Sequence, residues 1–317
     1  MPTEKPILKM IVPCYNEEDG LALFCKELKK VILDLIKERL ISDQSFILFI
    51  NDGSNDHTWD IINDLSHDAM VTGISLAHNR GHQTALLAGL YEDNQAYDIC
   101  ISVDADGQDD LSVIKDMILD WYNQKKIVYG VRKKRDTDSL LKKTTANLFY
   151  QVMAHLEPQS IQNHADFRLL DKSIVDELKK YPEHNLYLRG LFQTMISSNQ
   201  TSIVYYDRKK REIGQSKYSV KKMMNLATNG IISMSNEPLH FIFRFTVLFI
   251  FLTSLCIMYS IFCIFVHRPL TLAILITAMM VCTGSLLLAL SIIAQYIAGI
   301  SIESKHQPRY WINDRTE

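Results

Sequence analysis

Three polar side chains end a short apolar run near the middle of the chain, in the stretch ICISVDADGQDD at 99–110. Asp104, Asp106 and Gln108 occupy every second position, and alternate residues of an extended chain project to the same face. Two carboxylates and a carboxamide are therefore expected together beyond the end of a strand. Oxygen ligands suit Mg²⁺ or Mn²⁺, and Mg²⁺ leaves most of its shell to water and substrate phosphates. The spacing predicts a divalent metal site that serves a diphosphate substrate.

The same stretch has a purely structural alternative. Asp109 and Asp110 precede Leu111, and acidic residues are favoured at the start of a helix, where they accept hydrogen bonds from free backbone N–H groups. An Asp-x-Asp pair alone is a weak motif. The surrounding chain therefore has to decide between a helix cap and a metal site.

Short apolar runs of strand length alternate with helical patterns over the first part of the chain. We predict strands at 7–13, 46–50, 71–76, 99–103 and 127–131, and helices at 21–40, 58–65, 84–91 and 111–121. This alternation is typical of right-handed crossovers and of a mainly parallel α/β sheet with both faces covered.

Polar motifs follow four successive predicted strands. They are PCYNEE at 13–18, NDGS at 51–54, NRGH at 79–82 and DADGQ at 104–108. Each motif alone is compatible with a cap or a turn, which use the same residue types. Ligands of parallel sheets bind beyond the carboxyl ends of the strands, so the coincidence at four strand ends predicts one binding site.

Two long stretches without any charged residue, 245–266 and 270–302, lie in the last third of the chain. Each exceeds the ~20 residues that cross a bilayer, so we predict two transmembrane helices, with a buried hairpin of a soluble protein as the alternative. Basic residues flank the two spans on the side of the chain ends, whereas the short connection carries only Arg268; those flanking residues are Lys217, Lys221, Lys222, Lys305 and Arg309. By the positive-inside rule, both termini are expected in the cytoplasm of a multi-pass membrane protein.

The predicted organisation has four parts. A cytoplasmic catalytic domain covers 1–215, a juxtamembrane segment 216–240, the two-helix hairpin 241–303 and a cytoplasmic tail 304–317. The juxtamembrane segment contains an amphipathic pattern at 220–238, which predicts a helix lying in the membrane interface or, alternatively, one covering the sheet.

Composition excludes several other classes of protein. The formal net charge of −2 argues against a nucleic-acid binder. The six cysteines form no CxxC pair or zinc spacing, which indicates reduced thiols. The apolar run at 10–12 is too short for a signal peptide. Four histidines also lack metal-ligand spacing and are expected to be ordinary surface or site-lining residues: His78, His82, His155 and His164.

Together with ADFRLLDK (165–172), LRG (188–190) and REIGQSKYS (211–219), the four motifs resemble the inverting GT-A glycosyltransferases. The resemblance covers about 7–309 and is specific to the polyprenyl-phosphate sugar transferase group, of the bactoprenol glucosyltransferase and dolichol-phosphate mannose synthase type. It implies a GT-A Rossmann-like fold and a UDP-sugar donor, either UDP-glucose or UDP-N-acetylglucosamine. It further implies a polyprenyl (undecaprenyl) phosphate acceptor, Mg²⁺ or Mn²⁺ as cofactor, and a homo-oligomer.

The resemblance also implies roles for individual residues. Asp166 would be the catalytic base, and Asp104, Asp106 and Gln108 would hold the metal. The donor nucleotide would contact Pro13, Tyr15, Glu17, Asp52 and Asp104. Phosphate and acceptor binding would fall to Arg132, Arg208, Arg211, Ser216 and Lys217.

Three of these assignments have alternatives or departures in the sequence itself. Asp166 precedes Arg168 by two residues, a spacing compatible with a structural ion pair or a cap. The basic residues at 208–222 would also attract anionic lipid. Asn51 stands where many relatives have Asp, and Gly107 stands where Leu is common, which bears on the turn that carries Gln108.

The charges of the expected substrates indicate the chemistry. A metal ion stabilises the leaving diphosphate, and a lipid monophosphate, with a second pKa near ~6, is largely dianionic at neutral pH. Positioning of two anions should therefore matter more than strong base catalysis. One alternative is a processive polysaccharide synthase, which needs a Gln-x-x-Arg-Trp motif; QPRYW at 307–311 does not match it. The other is a non-catalytic nucleotide-sugar scaffold, which would have lost the metal carboxylates Asp104 and Asp106.

Overall fold

The structure is a computed structural model that describes residues 5–133, 164–181, 188–207, 272–304 and 308–316. Within these residues, eight strands form one sheet in the order β7-β5-β6-β4-β1-β2-β3-β8. The strands are β1 (Leu8–Cys14), β2 (Phe46–Asn51), β3 (Val71–Leu76), β4 (Ile99–Ser102), β5 (Ile127–Arg132), β6 (His164–Asp171), β7 (Thr201–Tyr206) and β8 (Ile312–Arg315). The helices are α1 (Leu21–Lys37), α2 (Thr58–Leu65), α3 (His82–Tyr91), α4 (Ile114–Tyr122), α5 (Lys172–Leu178), α6 (Leu188–Met195) and α7 (Leu272–Ser304).

The predicted α/β sheet is confirmed, and its centre is parallel. β1 pairs in parallel with β2 and β4, and β2 pairs in parallel with β3. All residues of β1 and β2 are buried, because helices cover both faces. Helices α1, α2 and α4 pack on one face and α3, α5 and α6 on the other, which gives two hydrophobic cores.

Antiparallel strands complete the sheet on both sides of this centre. β6 lies between β4 and β5 and is antiparallel to both, whereas β7 is parallel to β5. β8 pairs antiparallel with β3 at the opposite edge. The segment that we expected as a C-terminal tail thus contributes an edge strand to the sheet.

The helix-cap alternative for the acidic stretch is confirmed at one residue. Asp110 Oδ1 accepts a hydrogen bond of 3.1 Å from the backbone N–H of Ser112. This bond opens a 3₁₀ turn at Leu111–Val113, which leads into α4. The cap occupies Asp110 and leaves Asp104 and Asp106 for another role.

The chain divides into two compact units. The first comprises Met1–Tyr218 together with Pro308–Glu317, and the second comprises Ser219–Gln307. The described part of the second unit is α7, of 33 residues. Counting only the side chains that the structure describes, no helix is both long and apolar enough to cross a membrane. The predicted first span at 245–266 and the amphipathic helix at 220–238 lie outside the described residues, so the two-span arrangement stays a prediction.

Candidate active site

The direction of β6 brings Asp166 to the carboxyl end of β4. Because β6 runs antiparallel to β4, Arg168 pairs with Ser102, the last residue of β4, and Asp166 lies beyond that end. The Ser102 hydroxyl donates a hydrogen bond to the backbone carbonyl of Asp166 and fixes this placement. Asp104 follows β4 by two residues. The predicted metal ligands and the predicted base therefore adjoin one another.

One imidazole connects the two carboxylates. His82 is the first residue of α3, and its Nε2 lies 3.3 Å from Asp166 Oδ2 and 3.5 Å from Asp104 Oδ1. Its side chain is 28% exposed, so it borders the site rather than the core. We expected His82 to be an ordinary surface or site-lining residue, and the structure places it between the predicted metal ligand Asp104 and the predicted base Asp166.

Asp166 also makes the structural ion pair that its spacing to Arg168 suggested. Its Oδ1 lies 2.5 Å from a terminal guanidinium nitrogen of Arg168, whose side chain is fully buried. The Arg168 guanidinium lies 5.1 Å from the ring centre of Phe192 in α6. A buried charge requires a partner of opposite charge, so each member of the pair holds the other in place. Asp166 therefore combines a structural contact with a place in the site.

The predicted metal carboxylates lie in a concentration of negative charge. Burial raises the pKa of Asp104 to about 6; His82 opposes the shift, whereas the carboxylates of Asp109, Asp166 and Asp106 add to it. In the turn that follows, Asp106 Oδ1 accepts a hydrogen bond of 3.1 Å from the backbone N–H of Gln108. A hard divalent cation would relieve this repulsion, and the oxygen donor set fits Mg²⁺ or Mn²⁺.

The described residues contain no group of three or more His, Cys, Asp or Glu side chains arranged for a metal ion. A site with two carboxylates agrees with the usual coordination of Mg²⁺, which takes one or two protein carboxylates and completes its shell with water and substrate phosphates. Asp104 and Asp106 remain the predicted ligands, and Gln108 remains the predicted third.

Arg132 is held at the rim by a buried pair that sequence reasoning did not identify. Its Nε donates to the Tyr206 hydroxyl at 3.2 Å, and one terminal nitrogen lies 3.4 Å from Asp109 Oδ1. The Tyr206 hydroxyl donates to the same Asp109 oxygen at 2.5 Å. Arg132 keeps 22% of its side chain exposed, whereas Asp109 is buried. A positioned cation thus lies at the end of β5, as phosphate recognition requires.

Asp52, predicted at the donor nucleotide, holds two loops together. Its carboxylate oxygens accept hydrogen bonds from the backbone N–H groups of Arg80 and Gly81 at 2.7 and 2.9 Å. Gly53 has a φ of +61°, and a Cβ there would lie 2.5 Å from the backbone nitrogen of Asn79. Only glycine fits such a close approach at positive φ. The NDGS and NRGH motifs therefore form one connected surface.

Asn51 has a structural role that the common Asp would not fill. Its Nδ2 donates to the Ser75 hydroxyl at 2.9 Å, and its Oδ1 accepts from the backbone N–H of Ser54 at 3.1 Å. An ionised carboxylate lacks the donor that the first contact uses. This departure from the family pattern thus fits the hydrogen bonding of β2 and β3.

The PCYNEE motif packs on the NDGS motif. The backbone N–H of Asn16 donates to Ser54 Oγ, and that of Glu17 donates to Thr58 Oγ1, both at 2.9 Å. The side chains of Tyr15 and Glu17 are half-buried beside the buried Pro13. These contacts place the predicted nucleotide residues at the carboxyl ends of β1 and β2.

The remaining predicted acceptor residues are not among those described. Arg208, Arg211, Ser216 and Lys217 lie outside the described residues and stay predictions. The structure brings together Asp104, Asp106, Asp166 and Arg132, and it adds His82, Asp109 and Tyr206. No local pattern marks these three additions, because their contacts join elements that are distant in the sequence.

Comparisons with known proteins agree with the architecture. The family described as Glycosyl transferase family 2 matches residues 10–179. The chain is 43% identical to the uncharacterized glycosyltransferase YkoT of Bacillus subtilis (strain 168), over 99% of this chain and 93% of that protein. It is 33% identical to the bactoprenol glucosyl transferase of Shigella phage SfV, over 98% of this chain and 99% of that protein.

Among solved structures, the chain is similar to glucosyl-3-phosphoglycerate synthase from Mycobacterium tuberculosis, crystallised with Mn²⁺, UDP-glucose and phosphoglyceric acid. The identity is 13% and the TM-score 0.45, with 72% of this chain and 78% of that chain covered.

Proposed function

Since the chain belongs to glycosyl transferase family 2 and is a glycosyltransferase with a GT-A domain, we propose that it glycosylates a polyprenyl phosphate. The donor is a UDP-sugar, UDP-glucose first and UDP-N-acetylglucosamine second, and the acceptor is undecaprenyl phosphate. Similarity to relatives named bactoprenol glucosyl transferase over nearly the whole chain supports this acceptor. The charge-free stretches at 245–266 and 270–302 support a membrane location, and the basic residues that flank them support a catalytic domain in the cytoplasm.

One observation carries the proposal. His82 Nε2 lies within 3.5 Å of both Asp104 and Asp166, so the diphosphate end and the acceptor end of a reaction would meet at one place. A scaffold that only binds nucleotide sugar has no need of the second carboxylate. This arrangement favours transfer over simple binding.

The proposed reaction is a single displacement. An oxygen of the lipid phosphate forms a bond to the anomeric carbon of the sugar while the bond from that carbon to the diphosphate breaks. The electron pair leaves with UDP, and the configuration at the anomeric carbon inverts. Because the lipid phosphate is already largely dianionic, little proton removal is needed.

The residues of the site have distinct tasks in this reaction. Asp166, held by Arg168 and His82, orients the acceptor phosphate and takes any residual proton. Arg132 meets phosphate charge from a position fixed by Asp109 and Tyr206. Asp104 and Asp106 would hold Mg²⁺ or Mn²⁺, which supplies charge stabilisation to the departing diphosphate when bound.

The test is transfer of label from UDP-[¹⁴C]sugars to undecaprenyl phosphate in membranes that contain the full-length chain. One labelled sugar should enter the lipid phase, and an α-linked donor should give a β-linked product. If the label enters neither undecaprenyl phosphate nor any other lipid, the proposal is rejected. An α-linked product would reject the single displacement.

A further inference from the structure

Tyr206 lies where three parts of the site meet. It is the last residue of β7 and pairs with Arg132, the last residue of β5. The backbone N–H of Lys133 donates to the Tyr206 carbonyl at 2.9 Å, which holds the two strands together at the rim. The Tyr206 side chain is buried. Because a buried tyrosine hydroxyl usually has a hydrogen-bond partner, its contacts show what this residue holds in place.

The hydrogen bonds of the Tyr206 hydroxyl have a fixed direction. Its proton is donated to Asp109 Oδ1 at 2.5 Å, and its oxygen accepts from Arg132 Nε at 3.2 Å. Burial raises the pKa of Tyr206 and Asp109 raises it further, so the hydroxyl keeps its proton at neutral pH. Asp109 Oδ2 has no hydrogen-bond partner among the residues that the structure describes. The buried charge of Asp109 therefore depends on the contacts that Tyr206 and Arg132 make with Oδ1.

These contacts occupy one edge of the Arg132 guanidinium. Nε faces Tyr206 and Nη2 faces Asp109, and these two nitrogens lie along the same side of the planar group. Within the described part of the chain, Arg132 Nη1 makes no hydrogen bond. The outer edge, formed by Nη1 and the remaining N–H of Nη2, has the geometry that binds two oxygens of a phosphate. Arg132 is therefore held by its inner edge and presents its outer edge to a ligand.

The Tyr206 ring fixes a second relation in the site. It packs edge to face against Phe167, with the ring centres 5.4 Å apart. Phe167 lies between Asp166 and Arg168 in β6, so this contact adjoins the predicted base. The hydroxyl of Tyr206 thus holds Arg132, and its ring packs on the strand that carries Asp166.

The charges around Arg132 favour the donor as the source of a bound phosphate. Burial alone would lower the pKa of Arg132. Its neighbours outweigh burial and raise this pKa above its ordinary value; they are Tyr206, Asp109 and Asp104. The predicted metal ligand Asp104 is therefore near enough to act on the charge of Arg132, which places the guanidinium on the diphosphate side of the site.

We propose that Tyr206 is a positioning residue for sugar transfer, which sets Arg132 at a fixed place relative to Asp166 so that the guanidinium binds a substrate phosphate. Tyr206 acts through Arg132 and touches no substrate itself. The donor diphosphate is the expected source of the phosphate, and the lipid phosphate is the other source. This inference rests on the proposed function, because both phosphates belong to its substrates.

A kinetic double-mutant cycle tests whether Tyr206 acts through Arg132. The transfer assay compares wild type, Tyr206→Phe, Arg132→Met and the double mutant as full-length chains in detergent. Tyr206→Phe keeps the ring on Phe167 but loses the hydroxyl, and kcat/KM should fall about tenfold to hundredfold. In the Arg132→Met background the same substitution should lower kcat/KM by less than about twofold, because the residue through which the hydroxyl acts is gone.

A binding measurement gives an independent readout that needs no change at Arg132. Titration calorimetry with Mg²⁺ measures the affinities for UDP and UMP, which differ by the terminal phosphate. A weaker UDP affinity with an unchanged UMP affinity in Tyr206→Phe assigns the phosphate to the donor. A higher KM for undecaprenyl phosphate with an unchanged UDP affinity assigns it to the acceptor.

The matched control is Tyr205→Phe, which removes a hydroxyl from the exposed neighbour on the same strand. It should leave kcat/KM and the UDP affinity unchanged. Equal losses from Tyr206→Phe in the wild-type and Arg132→Met backgrounds would overturn the inference, as would equal losses of UDP and UMP affinity or no kinetic change at all. If wild type neither binds UDP nor transfers sugar from any UDP-sugar, the proposed function itself fails.

Discussion

Removing the charge of Asp166 should damage stability and activity for different reasons, and a double mutant can separate them. The Asp166 side chain is 7% exposed, and that of its partner Arg168 is 0% exposed. Asp166→Asn removes the negative charge that lies 2.5 Å from the buried guanidinium. Breaking a buried pair in this way costs about 3–5 kcal/mol. For a domain of this size the melting temperature should fall by roughly 6–20 °C.

The double mutant Asp166→Asn/Arg168→Met removes both charges. In the wild type, the Arg168 guanidinium lies 5.1 Å from the centre of the Phe192 ring, and the Met side chain would fill this space. Replacing a buried pair with uncharged residues is often nearly neutral, so the double mutant should be more stable than Asp166→Asn alone. Thermal unfolding of the full-length chain, followed by circular dichroism, measures the coupling between the two sites.

Transfer activity should not recover with stability. If Asp166 orients the acceptor phosphate, its carboxylate is needed in the transition state, and kcat and kcat/KM should fall together in both variants. Additive destabilisation in the double mutant would refute the ion pair as the source of the stability loss. Restored transfer in the refolded double mutant would refute any role of the Asp166 carboxylate in the reaction.

Three further predictions concern the metal site, a loop contact and a buried lysine. In scanning fluorimetry, Mn²⁺ should raise the melting temperature of wild type but not that of Asp104→Asn. A chelator should abolish sugar transfer. An equal rise in melting temperature in both proteins would contradict the metal site. Gly53→Ala should destabilise the protein in urea by about 1–3 kcal/mol, since its φ is +61° and its Cβ would meet the Asn79 backbone at 2.5 Å. Gly20→Ala is the control because no atom lies within 4 Å of a Cβ there, and equal effects of the two substitutions would argue against the contact. Burial lowers the pKa of Lys9 from 10.5 to about 8, so between these values the unfolded chain binds a proton that the folded chain lacks, and stability rises with pH. Measured by urea unfolding and relative to Lys9→Met, the free energy of unfolding of wild type should rise by about 3 kcal/mol across that pH window. If the free energies of unfolding of the two proteins vary with pH in parallel, Lys9 is not the source of the change.

The elements of the parallel half could be predicted closely from local pattern. The bounds of α2 (Thr58–Leu65) and β3 (Val71–Leu76) are those predicted. The buried strands β1 and β2 are continuous apolar runs, which strands covered on both faces require. Predicted helix ends were less accurate, since α1 ends at Lys37 rather than at residue 40.

Strands whose residues are polar escaped prediction. β6 carries Asp166 and Arg168 in its middle, and a buried ion pair has no signature in hydrophobic periodicity. β8 is an edge strand of mostly exposed residues, so its pairing with β3 leaves no apolar alternation to detect. The β-favouring residues Tyr310, Trp311 and Ile312 were the available signal for β8.

The residue types at the rim of the sheet were determined by the sequence, because strand alternation and strand ends place Asp52, Asp104 and Asp106 there whatever the order of the strands. Which of them touch was decided by tertiary structure. His82 meets Asp166 because the antiparallel direction of β6 puts its first residues beside the carboxyl end of β4. Asn313 lines one cavity with Gly53 and Ser54 because β8 pairs with β3. Strand order and direction depend on packing between distant segments, and local periodicity carries no information about either.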